Sequence, residues 1–163
     1  MIRSIVEVYR KGACPESREL SSEVKELGIQ KEHRISFSRI YIIEFDENTL
    51  PVPAEERLNR ISREILIDPV VEEYYPGLRD TEGISIEVYL KKGVLDIPGR
   101  RAVEAAGYAS LDRGLKKISG GERYIITAEG GADEETCSYI TRKLLFNKVI
   151  QEAKYSGSGV EIK

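Results

Sequence analysis

The apolar and polar positions of this chain alternate at the start and then change period. From Ile2 to Arg10 they alternate as in a half-buried strand. Leu20, Val24 and Leu27 then step by four and three along one helical face. Pro15 suits the first position of that helix, and Gly28 stands where a glycine closes one. A second strand, from Ile35 to Phe45, is dense in β-branched and aromatic residues at Ile40-Tyr41-Ile42-Ile43. Asp46 to Pro53 is a loop by composition. Pro53-Ala54-Glu55-Glu56 opens a second helix whose buried face is Leu58, Ile61, Ile65 and Leu66. Asp68-Pro69 stops it, because a residue before proline is pushed out of the helical region. Val70 to Tyr75 begins a third strand, which Pro76-Gly77 ends.

The plan then repeats. Ile84 to Lys91 reads as a strand, Gly93 to Gly99 as a loop, and Arg100 to Leu111 as a helix. Leu115 to Ala128 is a strand with a break or bulge expected at Gly120-Gly121. Asp133-Glu134-Glu135 opens another helix with Cys137, Ile140, Leu144 and Leu145 on its apolar face, the spacing of the earlier stripe. Val149-Ile150 starts a strand, and Ser156 to Gly159 is a turn before Val160-Glu161-Ile162.

Specific words recur as well. Glu7-Val8-Tyr9 returns as Glu87-Val88-Tyr89, and Ile65 to Glu73 returns as Leu144 to Glu152, at offsets of 80 and 79 residues. A near-constant offset points to a duplicated module. The expected fold class is α+β: a tandem duplication of a β-α-β-α-β unit, residues 1–79 and 82–163. Each antiparallel sheet is expected to carry helices on one face, with a pseudo-two-fold between the halves.

Composition narrows the partners. The chain has 163 residues, 33% of them charged, with a net charge of −3. Without a concentrated basic face, nucleic acid and anionic membrane are disfavoured. No apolar run approaches the roughly 18 residues of a membrane span, and Met1-Ile2-Arg3-Ser4 lacks the apolar core of a signal peptide. Cys14 and Cys137 occupy unlike places in the two halves, which argues against a disulfide framework and for a reducing cytoplasm. A single histidine, His33, without clustered cysteines argues against structural zinc.

The chemistry-bearing candidates are few. Gly130-Gly131 precedes the acidic Asp133-Glu134-Glu135, which would repel a phosphate, so it reads as a turn. The pairs Glu55-Glu56, Glu72-Glu73 and Glu134-Glu135 are neighbours in sequence and do not converge as an acid and base would; they read as solvated faces. His33 reads as an exposed surface histidine, Cys137 as core, and Cys14 as a more exposed thiol without an activating histidine. No nucleophile, base and orienting group can be assembled. The segment Lys91 to Arg101 gathers Lys91, Lys92, Arg100 and Arg101 around Gly93, Gly99 and Asp96, the aspartate expected at a helix start. It is either a capped loop with a solvated basic rim or a contact surface for an acidic patch on a partner.

This loop resembles a known family. Gly93-Val94-Leu95-Asp96, Gly99-Arg100 and Ala102-Val103 resemble the KPGVLDPxGxAV signature of PurS, a subunit of phosphoribosylformylglycinamidine synthase. Cys137, Lys143-Leu144-Leu145, Asn147 and Val149-Ile150 resemble that family's later motif, and Asp68 to Tyr74 repeats its ending in the first half. Lys92 stands where the family has proline, and Ala13-Cys14-Pro15-Glu16 keeps almost none of the signature. The resemblance implies a non-catalytic part, with no cofactor of its own, of a complex that uses ATP, Mg and glutamine-derived ammonia. It implies synthetase (PurL) and glutaminase (PurQ) partners and a dimer or higher oligomer, which a tandem copy would mimic within one chain. Two such modules in tandem also resemble the start of one class of PurL chain, where a fused double PurS-like domain precedes the catalytic part, so the resemblance implies either a bridging subunit or an N-terminal domain of the synthase. The competing expectation is a ferredoxin-like regulatory module that binds a small ligand.

Overall fold

The structure is a computed structural model that describes residues 1–49 and 52–163. The described residues are α+β, with four helices and seven strands hydrogen-bonded in the order β3-β1-β2-β5-β4-β6-β7. In chain order these are β1 (Ile2–Arg10), α1 (Pro15–Lys25), β2 (His33–Phe45), α2 (Ala54–Ile61), β3 (Glu72–Pro76) and β4 (Ile84–Leu90). There follow α3 (Ile97–Tyr108), β5 (Leu115–Ala128), α4 (Glu134–Ile140), β6 (Gln151–Tyr155) and β7 (Glu161–Ile162). Part of the expected loop Asp46 to Pro53, namely Leu50 and Pro51, lies outside the described residues.

Two compact units form, and neither is a continuous stretch of chain. The first comprises Met1–Gly12, Arg39–Arg79 and Leu95–Gly121. In it β1 pairs antiparallel with β2 (Val6 opposite Tyr41) and with β3 (Val8 opposite Tyr74). Its core packs Val6 and Val8 of β1 and Tyr41, Ile43 and Phe45 of β2 with Leu58 and Ile61 of α2 and Ala102 and Ala106 of α3. The second comprises Ala13–Ser38, Asp80–Val94 and Glu122–Lys163. There β6 lies antiparallel between β4 (Val88 opposite Ala153) and β7 (Ala153 opposite Ile162). Its core joins Val24 of α1 and Ile35 of β2 to Ile86 and Val88 of β4, Ile126 of β5, and Cys137 and Ile140 of α4. Each unit thus takes one helix from each half of the sequence.

Both second helices end unlike the expected plain α-helix. α2 continues into a π-helical turn at Ser62–Leu66, and α4 into one at Thr141–Leu145. Ser62 Oγ donates to the Leu58 carbonyl at 2.8 Å and Thr141 Oγ1 to the Cys137 carbonyl at 2.7 Å, both buried. A hydroxyl that takes up a carbonyl four residues back competes with the regular ladder and loosens the turn. The wider turn brings residues five apart onto one face, so Ile61 and Leu66, like Ile140 and Leu145, are buried while Ile65 and Leu144 are only partly so.

The turns that follow are matched bond for bond. Asp68 N–H donates to Glu72 Oε1 at 2.9 Å, and Val70 N–H to Asp68 Oδ1 at 3.0 Å. Asn147 N–H donates to Gln151 Oε1 at 2.9 Å, and Val149 N–H to Asn147 Oδ1 at 2.9 Å. These side-chain bonds hold Val70-Val71 and Val149-Ile150 in turns, so β3 and β6 start later than expected, at Glu72 and Gln151.

Other boundaries also moved. α3 starts at Ile97 rather than Arg100 and ends at Tyr108, before Ser110 enters the left-handed region at φ 59°. β5 runs unbroken over 14 residues through Gly120-Gly121. β2 starts at His33, and its alternation turns His33 inward with Ile35, leaving the histidine 2% exposed rather than on the surface. The centre of β1 is buried on both faces, with Glu7 fully buried between Val6 and Val8, so it is not half-buried as expected.

Candidate functional site

The segment Lys91 to Arg101 is divided between the two units after Val94. In the second unit, Lys91, Lys92 and Gly93 form an exposed turn in which Val94 N–H donates to the Lys91 carbonyl at 3.1 Å. Gly93 sits at φ 91°, a conformation that a side chain would strain. In the first unit, Asp96 is the N-cap of α3, accepting the Gly99 N–H at 2.8 Å. Its other oxygen accepts the Gly120 N–H of β5, also at 2.8 Å. Gly99 is buried so closely that an added Cβ would lie 2.2 Å from the Ile118 carbonyl oxygen. The aspartate and the paired glycines therefore seat the helix start on the strand. Arg100 and Arg101 follow on α3 and are exposed.

Sequence reasoning missed the buried charges. Glu7 accepts the Arg79 backbone N–H at 2.8 Å and its guanidinium at 3.1 Å, while that guanidinium lies 3.7 Å from the Tyr9 ring centre. In the second unit Glu87, 5% exposed, accepts the Tyr89 hydroxyl at 2.6 Å, and Arg123 donates to Ser85 Oγ at 2.8 Å. The recurring Glu-Val-Tyr was the available signal: a carboxylate between two core residues needs a partner. Glu72, expected to be solvated, is instead held by Arg39 at 2.6 Å beside the turn it caps. Arg39 comes from the middle of β2, a pairing that no local pattern announces.

The thiols and the histidine do not converge. Cys137 is fully buried, and burial, reinforced by the nearby Asp133 and Glu134 carboxylates, pushes its thiol up to about 12. Cys14 is partly exposed at the start of α1, where its Sγ donates to Glu16 Oε2 at 3.3 Å. His33 Nδ1 donates to the Lys31 carbonyl at 2.8 Å, the only direction a carbonyl allows. Asp133 caps α4 by accepting from Thr136, which together with the nearby His33 holds its carboxyl below the usual range. Among the described residues, no three His, Cys, Asp or Glu side chains gather as a metal site, and no helix is long and apolar enough to cross a membrane. A cavity of about 380 Å³ in the first unit is lined by Lys11, Arg63, Ile67, Pro69, Glu72, Glu73 and Tyr74. It offers an apolar floor with charged edges, without a nucleophile beside a base.

Residues 83–159 match the family model of PurS, phosphoribosylformylglycinamidine (FGAM) synthase. That stretch, from just before β4 to the turn before β7, is a PurS-like domain and connects the chain with FGAM synthase and purine biosynthesis. No curated protein matches the chain.

Proposed function

We propose that the chain is a non-catalytic, bridging part of FGAM synthase that holds the synthetase (PurL) and glutaminase (PurQ) components together in the cytoplasm. The family match over 83–159 carries this reading. We extend it to a tandem duplication, with 1–79 and 82–163 as PurS-like repeats related by a pseudo-two-fold. The support is the pair of π-helical turns and the bond-for-bond likeness of the turns after them. ATP and Mg would then be bound by the partners, and the exposed Lys91, Lys92, Arg100 and Arg101 would meet acidic surfaces on them. Sizing of the full chain with the synthetase and glutaminase, with and without nucleotide and glutamine, tests the proposal. A shared peak is the expected result, and no association under any of these conditions would end it.

A small-ligand regulatory module is the second reading, favoured by the cavity at Lys11, Arg63, Ile67 and Tyr74. Thermal shift against amino acids and nucleotides separates the two, since a specific ligand raises the midpoint.

A further inference from the structure

The turn from Asn147 to Ile150 carries an apolar tip bare of cover in its own unit: Val149 is 80% exposed and Ile150 40%. The tip is held in place. Val149 N–H is bound by Asn147, Asn147 N–H by Gln151, and the Ile150 carbonyl accepts the Lys91 N–H at 2.8 Å. An exposed apolar knob held by hydrogen bonds loses little freedom on docking.

Its surroundings state the charge of what it meets. Lys148 is next to Val149 in the chain, and the bond from Lys91 to Ile150 brings Lys91 and Lys92 alongside. All three lysines are exposed, and among the described residues none of them forms an ion pair. Glu152, exposed two residues beyond the tip, is the neighbouring acid. The turn of the first unit has the same shape, with Val70 81% exposed, but holds Asp68 and Pro69 where the second has Asn147 and Lys148. The knob is common to both units, and Lys11, whose N–H binds the Val71 carbonyl at 3.0 Å, stands in the first where Lys91 stands in the second; Lys148 has a basic counterpart in neither Asp68 nor Pro69.

We propose that Val149 and Ile150, rimmed by Lys91, Lys92 and Lys148, dock into an apolar depression edged by carboxylates on a protein partner. An apolar centre with a charged edge is the usual anatomy of a protein contact, the edge steering association. A nucleic-acid backbone would engage the lysines and leave Val149 without a role. The proposal rests on the bridging reading for the partner's identity, a component of the synthase.

The test uses the full chain, the synthetase and glutaminase components, and two variants: Val149→Ser, and Lys91→Glu with Lys148→Glu. Dissociation constants are measured at low and high salt, and melting temperatures separate lost docking from lost fold. Both variants should melt like the parent and bind at least about tenfold more weakly, which is roughly 1.4 kcal/mol. The loss in the charge reversal should shrink as salt rises, and that in Val149→Ser should not. Parent-like binding by both variants overturns this surface and leaves the bridging reading intact. No binding by the parent overturns both. A single-stranded RNA of about 20 nucleotides is the control. If it binds the parent, is lost on charge reversal and ignores Val149→Ser, while the protein partners bind all three alike, the rim is a nucleic-acid site and the proposal falls.

Discussion

Replacing Gly99 by alanine tests how α3 is seated. In an open helix the change would stabilise, because alanine exceeds glycine by roughly 0.8–1.0 kcal/mol in helix propensity. Here the new Cβ would lie 2.2 Å from the Ile118 carbonyl oxygen and 2.7 Å from Asp96 Oδ2, against ordinary contacts of 3.4 Å or more. The carbonyl belongs to β5 backbone and cannot swing aside, so the helix start must lift by about 1 Å. Forced overpacking costs about 1–3 kcal/mol, and loosening the Asp96 cap about 1 kcal/mol more. Set against the propensity gain, the net loss is about 2 kcal/mol. In urea, with a slope near 2 kcal/mol/M, the midpoint should fall by about 1 M. Gly107→Ala, in the same helix, is the control: its Cβ would meet nothing closer than Asp112 Oδ2 at 3.7 Å, so it should be neutral or slightly stabilising. A Gly99→Ala protein as stable as the parent, or more so, would refute the account of this glycine.

Ile61→Ala and Ile140→Ala, both at fully buried positions, should each cost on the order of 2–5 kcal/mol by denaturant unfolding; losses below about 0.5 kcal/mol at both would mean the stripes were misread. A thiol reagent at neutral pH should label the partly exposed Cys14 and spare Cys137 until the protein unfolds, and equal labelling of the two in the native state would contradict the burial. The folded Cys137 thiol holds its proton to about 12 against an ordinary 9.0, so its contribution to stability is full below about pH 9 and is lost as pH rises towards 12. Unfolding midpoints of the parent and Cys137→Ala should therefore converge over that window, and a constant gap would count against it. Arg100→Glu with Arg101→Glu should leave the fold nearly unchanged and weaken assembly with the synthase components at low salt; unchanged association there would remove these arginines from the docking surface.

The helices were legible wherever local chemistry decides. Pro15 at the start of α1, Asp133 before α4, and the apolar steps around Ile61 and Ile140 are short-range signals that the structure keeps. The π-helical turns were not legible, because they depend on whether the Ser62 and Thr141 hydroxyls face the carbonyl four residues back, and that needs a buried geometry. His33 was misplaced by a strand boundary only two residues off, which at period two is enough to misjudge a face. Of the basic loop, Asp96 was recognised at a helix start, but its second bond, to Gly120, spans 24 residues and leaves no local trace. Gly120 therefore looked like a bulge, whereas it lies in unbroken β5 and gives its N–H to Asp96.

The chain passes between its two compact units after Gly12, Ser38, Arg79, Val94 and Gly121. Synthesis that has reached Arg79 has made α1 but none of β4, β6 or α4, against which Val24 packs. It has made α2 but not the Ala102, Ala106, Leu111 and Ile118 that complete the other core. Neither core is complete until residues of the second half have been made. Until then the growing polypeptide shows apolar helix faces to whatever chaperones are at hand, and contacts this distant in sequence form slowly. A gene cut in the link between Gly77 and Gly83 would yield two products that fold only by lending each other a helix, an obligate pair from the moment of birth.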